Sequence, residues 1–228
     1  MTPDPEFENA IERLLDALAD PLAPTSIHDR AKARRIHIAD SLVALQLEPL
    51  ARARTIADIG AGAGLPGLVI AAALPNAQVV LVEATKRKCE FIRTAANAAG
   101  IENCRVVNER IETWAAGGGR EAYQVVTARA LAPLAALLEF ASPLLVDQGH
   151  LVAWKGAPDP AELVAAGRTE RLTAMVHQAT VEVAPYPESR DRSLYLYRKL
   201  GPTPQGLPRR VGMVRKRPLG QARFGNDP

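Results

Sequence analysis

The segment Ala57–Gly67, ADIGAGAGLPG, puts four glycines in a turn between an apolar strand and a helical stretch. Glycine lets backbone approach a ligand closely, and a helix opening after such a turn aims free N–H groups at it. Asp58 precedes the glycines. Glu83 ends the next strand, where a carboxylate can accept both hydroxyls of a ribose. Gly60, Gly62 and Gly64 follow Gly-x-Gly-x-Gly, not the Gly-x-Gly-x-x-Gly of pyrophosphate binders. Pro66, in the first helical turn, also lacks an N–H that a pyrophosphate would use. The pattern favours an adenosyl ligand without phosphates, S-adenosylmethionine. The competing reading is packing alone, since sharp strand-to-helix turns take glycine with or without a ligand.

The elements that must position these residues follow from periodicity. Glu6 to Asp20 has Phe7, Ala10, Ile11, Leu14, Leu15 and Leu18 at helical spacing. A second helix is expected from Ala31 to about Leu47, capped by Asp29 and ended by Pro49. From Thr55 the pattern changes to short apolar strands separated by helical stretches. Strands are predicted at TIADIG, Ala77–Ala84, Cys104–Arg110, Tyr123–Ala130 and Gly149–Gly156. Helices are predicted at Leu65–Leu74, about Lys86–Ala99 and roughly Pro133–Leu145. Continuous apolar strands with helical crossovers predict a parallel sheet covered on both faces. Val176–Ala184 and Ser193–Leu200, with no convincing helix between them, are expected to finish that sheet as an antiparallel pair. The expected organisation is an N-terminal helical extension (1–50), a core (51–200) and a basic tail (201–228), folding as one unit.

Composition narrows the function classes. At 228 residues, 47% hydrophobic and 23% charged, the chain can bury one sizeable core and is not disordered throughout. There is no long apolar run, and the acidic start lacks the order of an export signal, so no membrane role and a cytoplasmic location are expected. Cys89 and Cys104 form no metal-type pair, and His28, His150 and His177 are scattered, so no metal site is expected. From Arg198 onward there are eight basic residues and one acid, which makes the tail +7 and the body −4. A basic tail on an acidic body points to a polyanionic partner. Aromatic content of 4% argues against a broad base-stacking platform.

The segment Asp58–Gly67 with its Leu-Pro-Gly continuation, Glu83, RIETW (Arg110–Trp114) and TARALAPL (Thr127–Leu134) resemble a class I methyltransferase. More narrowly, TSIHD, HIADSL (His37–Leu42) and the tail PRRVGMVRKRPL (Pro208–Leu219) are similar to the bacterial 16S ribosomal RNA guanine-N-7 methyltransferases, the glucose-inhibited division protein B group. Ile36 departs from that pattern, standing where the family usually has arginine. The resemblance covers most of the chain and implies a Rossmann-like α/β fold with a mostly parallel seven-stranded sheet. It implies cofactor contacts at Gly60, Leu65, Ile111, Glu112 and Arg129, with Glu83 on the ribose. Asp58, Gly62 and Gly64 complete the expected cofactor set. Arg35, His37, Lys155, Arg209, Arg210 and Lys216 are the expected contacts to 16S ribosomal RNA or a small-subunit precursor, bound by a monomer. No side chain has an assigned catalytic role, and Arg129 is the nearest to a candidate. Guanine N7 offers an unprotonated lone pair, so transfer to it needs alignment and no general base. The alternatives are a small-molecule methyltransferase and a non-catalytic RNA-binding assembly factor. The tail itself is expected to be an extended basic strap without regular helix, because Pro208, Gly212 and Pro218 interrupt it.

Overall fold

A computed structural model describes residues 4–220 of the chain. Its seven strands are β1 (Thr55–Ile59), β2 (Gln78–Val82), β3 (Cys104–Val107), β4 (Tyr123–Arg129), β5 (Leu145–Lys155), β6 (Met175–Glu182) and β7 (Ser193–Lys199). They form one sheet in the order β3-β2-β1-β4-β5-β7-β6. The first five pair in parallel, and β7 lies antiparallel between β5 and β6. The expected antiparallel finish is therefore present. The topology reverses between β1 and β4: one half of the sheet grows outward through β2 and β3, the other through β5. Open α/β sheets bind ligands at the carboxyl ends of the strands beside such a reversal.

Helices cover both faces. They are α1 (Pro5–Ala19), α2 (Arg30–Ala33), α3 (Ala39–Leu42), α4 (Glu48–Ala51), α5 (Gly67–Ala73), α6 (Lys86–Ala99), α7 (Ile111–Ala116), α8 (Leu134–Ala141), α9 (Pro160–Thr173) and α10 (Met213–Lys216). The strand pleat sends alternate side chains to opposite faces. Ile56, Val125, Val152 and Leu194 enter one core with the apolar sides of α1, α5 and α6. Ala57, Val126, Leu151 and Tyr195 enter the other with α7, α8 and α9. None of the described helices is long and apolar enough to cross a membrane.

Four local features differ from the periodicity. The helix expected over Ala31–Leu47 is not uniform: a wide π turn at Arg34–Ile38 and a tight 3-10 turn at Val43–Gln46 flank α3. The N–H of Ala39 reaches five residues back to the carbonyl of Arg34, and this extra residue in the turn shifts the phase of everything after it. α9 has no amphipathic signature, with Leu163, Val164 and Leu172 exposed, so periodicity hides it. Asp159, whose carboxylate accepts from Ala161 N at 2.7 Å, and Pro160 do mark its start. α7 is a six-residue helix in a stretch to which the periodicity assigned no element. α8 stops at Ala141 because Pro143 has no N–H to continue the helical ladder, and β5 begins at Leu145.

The tail is the largest correction. It is not a free strap. Lys199, fully buried at the end of β7, donates to Glu121 Oε1 (2.9 Å), Leu145 O (2.7 Å) and Thr203 Oγ1 (2.8 Å), which pins the start of the tail to the sheet. Arg209 grips the buried carboxylate of Glu139, donating from Nε to Oε1 and from Nη2 to Oε2. The Thr169 hydroxyl donates to Leu219 O at 2.8 Å, and Val214 of the one-turn α10 is buried in the second core. Buried carboxylates decided this path, and the proline and glycine spacing of the tail does not reveal them. Residues 221–228, the end of the expected tail, lie outside the described residues.

Candidate active site

β1 ends at Ile59, and Gly60 turns the chain with φ of 67°. The N–H groups of Gly60 and Ala61 both bond to Val82 O, at 2.8 and 3.2 Å, so the glycine loop is tied to the end of β2. A Cβ on Gly60 would come within 2.5 Å of the Leu131 side chain, and the positive φ adds strain for any other residue. Below the loop lies Asp58, completely buried. Its Oδ2 accepts from Gly67 N at 3.0 Å and its Oδ1 from Thr127 Oγ1 at 2.8 Å. Asp58 and Thr127 are register partners on adjacent strands, so the carboxylate joins β1, β4 and the start of α5. Gly67 is needed there, because its Cβ would meet Asp58 Oδ2 at 2.8 Å. Burial pushes the Asp58 carboxyl up to about 6, against the pull of its two hydrogen bonds and of Arg129.

Above the loop is a cavity of about 780 Å³ at the sheet reversal. That size suits a ligand of the bulk of a nucleoside with a short side chain. Gly60, Gly62, Leu65, Glu83, Ile111, Glu112 and Arg129 line it, together with His37. Asp58 and Gly64 do not: Asp58 sits under the loop, and Gly64 turns toward Leu68 and Ile92 of the first core. Glu83 is held rigidly, Oε2 accepting from Gly62 N (3.1 Å) and Oε1 from Thr85 N (2.8 Å). Each oxygen keeps a lone pair, which suits a diol. Asn108 braces the same turn, its Nδ2 donating to Glu83 O and Ala84 O, each at 3.1 Å. Glu112 Oε1 accepts from Gly212 N of the tail at 2.8 Å. The tail therefore forms part of the wall, with Gly212 and Arg215 both lining the cavity.

Arg129, at the carboxyl end of β4, donates from Nη1 to Asp40 Oδ2 at 3.1 Å. Asp40 is buried at the start of α3 and was not among the expected site residues. The signal that could have found it is its place on the helical stripe with Ile36, Val43 and Leu47, where an acid would have to be buried. Lys88, Arg110, Arg192 and Arg215 also line the cavity, and none of them was among the expected site residues. Arg192 comes from the irregular stretch before β7, where no local pattern marks it.

The expected RNA contacts are scattered. His37 faces the cavity, its Nε2 2.9 Å from Thr25 Oγ1. Burial, and then the charge of Arg129, push its pKa down to about 4, so the ring is neutral at pH 7 and carries no charge for a phosphate. Arg35 pairs with Glu188 at 2.9 Å on the surface. Lys155 pairs with Glu162 at 2.6 Å, and the same Glu162 oxygen accepts from Leu134 N, capping α8. Arg209 is committed to Glu139. Arg210 and Lys216 are exposed.

The shifted carboxyl of Asp58 gives a signed pH effect. Between about pH 4 and 6 the unfolded chain loses this proton while the folded chain keeps it, so this group's contribution to stability falls as pH rises. Across the window the effect amounts to about 3 kcal/mol. Asp58→Asn can keep the bond from Gly67 N and donate to the Thr127 hydroxyl. Urea denaturation should show the variant gaining on wild type by that amount between about pH 4 and pH 7. A stability difference independent of pH would refute the shift.

The family described as rRNA small subunit methyltransferase G matches residues 13–193 of the chain. A ribosomal RNA small subunit methyltransferase G of Chloroflexus aggregans is 40% identical over 212 residues, covering 91% of this chain and 88% of that protein. The protein of that name from Bacillus subtilis is 33% identical over 197 residues, covering 86% and 82%. In structure, the chain is similar to a 16S rRNA (adenine(1408)-N(1))-methyltransferase from Catenulisporales acidiphilia, with a TM-score of 0.53 at 18% identity over 69% of this chain and 90% of that one. That likeness shows the class I methyltransferase fold. The match over residues 13–193 and these relatives show that the chain belongs to the rRNA small subunit methyltransferase G family.

Proposed function

We propose that the chain transfers a methyl group from S-adenosylmethionine to N7 of a guanine in 16S ribosomal RNA. One observation carries the choice of acceptor. His37, the one imidazole lining the cavity among the described residues, has its pKa pushed down to about 4 by burial, and its Nε2 stands 2.9 Å from Thr25 Oγ1, so it is a weak proton acceptor. An acceptor with a free lone pair at neutral pH suits such a site. When bound, S-adenosylmethionine supplies a methyl on a sulfonium: the N7 lone pair forms the new bond, sulfur keeps the old bonding pair, and no proton leaves. The chain's own contribution is placement. Glu83 would hold the ribose hydroxyls, Gly60 and Gly62 would let backbone close on the ligand, and Ile111 and Glu112 would complete its wall. Arg129, anchored by Asp40, sets the cavity's electrostatics. The enzyme is taken to act as a monomer, and the cytoplasm is where such an RNA would be met.

The test is mass spectrometry of nucleosides from small-subunit RNA of a strain lacking the modification, incubated with the protein and S-adenosylmethionine. 7-Methylguanosine should appear with wild type. Glu83→Ala should weaken cofactor binding by about 1.5–3 kcal/mol in calorimetry. Cofactor binding without RNA methylation would favour a small-molecule substrate, and no cofactor binding would favour an assembly factor.

The tail separates into two kinds of arginine and lysine. Replacing the exposed Arg210 and Lys216 by Ala should weaken RNA binding and flatten its log–log salt dependence by roughly 0.7–0.9 for each phosphate no longer neutralised. Their affinity for S-adenosylmethionine should stay as in wild type. Arg209→Ala should instead lower stability by about 3–5 kcal/mol, because it strands the buried Glu139 carboxylate. An Arg209 variant as stable as wild type, measured by chemical denaturation, would return this residue to the RNA-binding set.

A further inference from the structure

Asp40 is buried in the cavity wall, and one of its carboxylate oxygens accepts no hydrogen bond from the described residues. Oδ2 accepts from Arg129 Nη1 at 3.1 Å, and the Asp40 carbonyl accepts from Trp154 Nε1 at 2.7 Å. The carboxylate is thus held in place from β4 and its backbone from β5. Among the described residues Oδ1 accepts no hydrogen bond, and it is paired only by charge with Arg192, whose Nε stands 3.6 Å away. Buried polar atoms are almost always paired, so an exception in a cavity wall calls for a partner.

We propose that Asp40 reads the acceptor base, its Oδ1 accepting the N1–H on the Watson–Crick edge of guanine. The inference rests on the methylation reading above and names the residue that makes it selective. Guanine carries donors side by side at N1 and at its amino group. Adenine, which shares N7, has a bare acceptor at N1 that a carboxylate repels. A base held by N1–H leaves N7, on the other ring, free for alkylation. A site built to bond a polar group rejects the analogue that lacks it far more strongly than a shape-fitted pocket does. Arg192 is partly exposed and lies between β6 and β7, outside both strands, so its side chain can yield to the entering base. Asp40→Asn should reverse the recognition: Arg129 requires the amide oxygen, which turns the amide N–H₂ toward the guanine N1–H, donor against donor.

The experiment uses the full-length chain and small-subunit RNA transcripts, with the acceptor position first mapped by the strand cleavage that 7-methylguanine permits. Transcripts carrying guanine, 1-methylguanine or adenine at that position are compared by kcat/KM. Wild type should lose about tenfold or more on 1-methylguanine, which keeps O6 and N7 but lacks N1–H. Equal rates on guanine and 1-methylguanine overturn the proposal without any variant. Asp40→Asn should lower kcat/KM on guanine by a similar factor and collapse the preference over 1-methylguanine. Calorimetry on the same preparation should give cofactor affinity within about threefold of wild type. A parallel loss of cofactor affinity, or an undiminished base preference, overturns the proposal by showing that Asp40 acts only through Arg129. No 7-methylguanine from wild type on the guanine transcript rejects the methylation reading itself, and this inference with it.

Discussion

The site depends on a carboxylate that never touches the cavity. Asp58 sits one layer below the glycine loop and uses both oxygens, one for the N–H that opens α5 and one for the hydroxyl of Thr127. Two strands and a helix start therefore meet at a single buried group. With those three elements fixed, the loop from Gly60 to Leu65 has little freedom left, and its ties to Val82 O set its distance from Glu83. The cost of burying a carboxyl is visible in its raised pKa. What it secures is a cradle of backbone whose shape does not wait for the ligand, the condition for catalysis by alignment.

A second set of buried carboxylates closes the cavity from outside the core. Asp40 brings α3 against β4 through Arg129, Glu112 takes the N–H of Gly212, and Glu139 takes Arg209. The N-terminal helical run and the C-terminal tail thus converge on one opening from opposite ends of the chain. Removing one partner from such a pair leaves a charge buried without compensation, so these contacts hold the enclosure more firmly than exposed pairs such as Arg35–Glu188. The π turn at Arg34–Ile38 belongs to the same arrangement. It resets the helix phase just before Asp40, and without the extra residue the carboxylate would point along a different radius.

The charge asymmetry of the chain takes on a local meaning here. Part of the tail's positive charge is neutralised internally by Glu139, and part remains exposed at Arg210, Arg215 and Lys216. Arg215, together with Arg110, Arg192 and Lys88, puts cations at the cavity itself, where a polyanion would have to be guided to a single base. Net charge marks the class of partner, and the fold decides which cations are free to meet it.

The amino-acid sequence by itself determined the strands, most of the helices and the glycine loop, because each is written in local periodicity or in glycine spacing. The strands that begin near Thr55, Gln78, Tyr123 and Ser193, and the presence of Gly60 and Glu83 at one cavity, are legible within short windows. Only the tertiary structure decided which charges are partners. Asp58 reads locally as a site residue and proves to be the loop's foundation. Asp40 and Arg129 meet across 89 residues, and Glu139 and Arg209 across 70, separations at which sequence spacing carries no geometric information. α9 escaped periodicity because its apolar residues do not share one face, and the tail's path escaped it because buried carboxylates, not propensity, hold it. Local physics writes secondary structure into short windows of sequence. Ion pairs between distant segments exist only once the fold has brought their partners together.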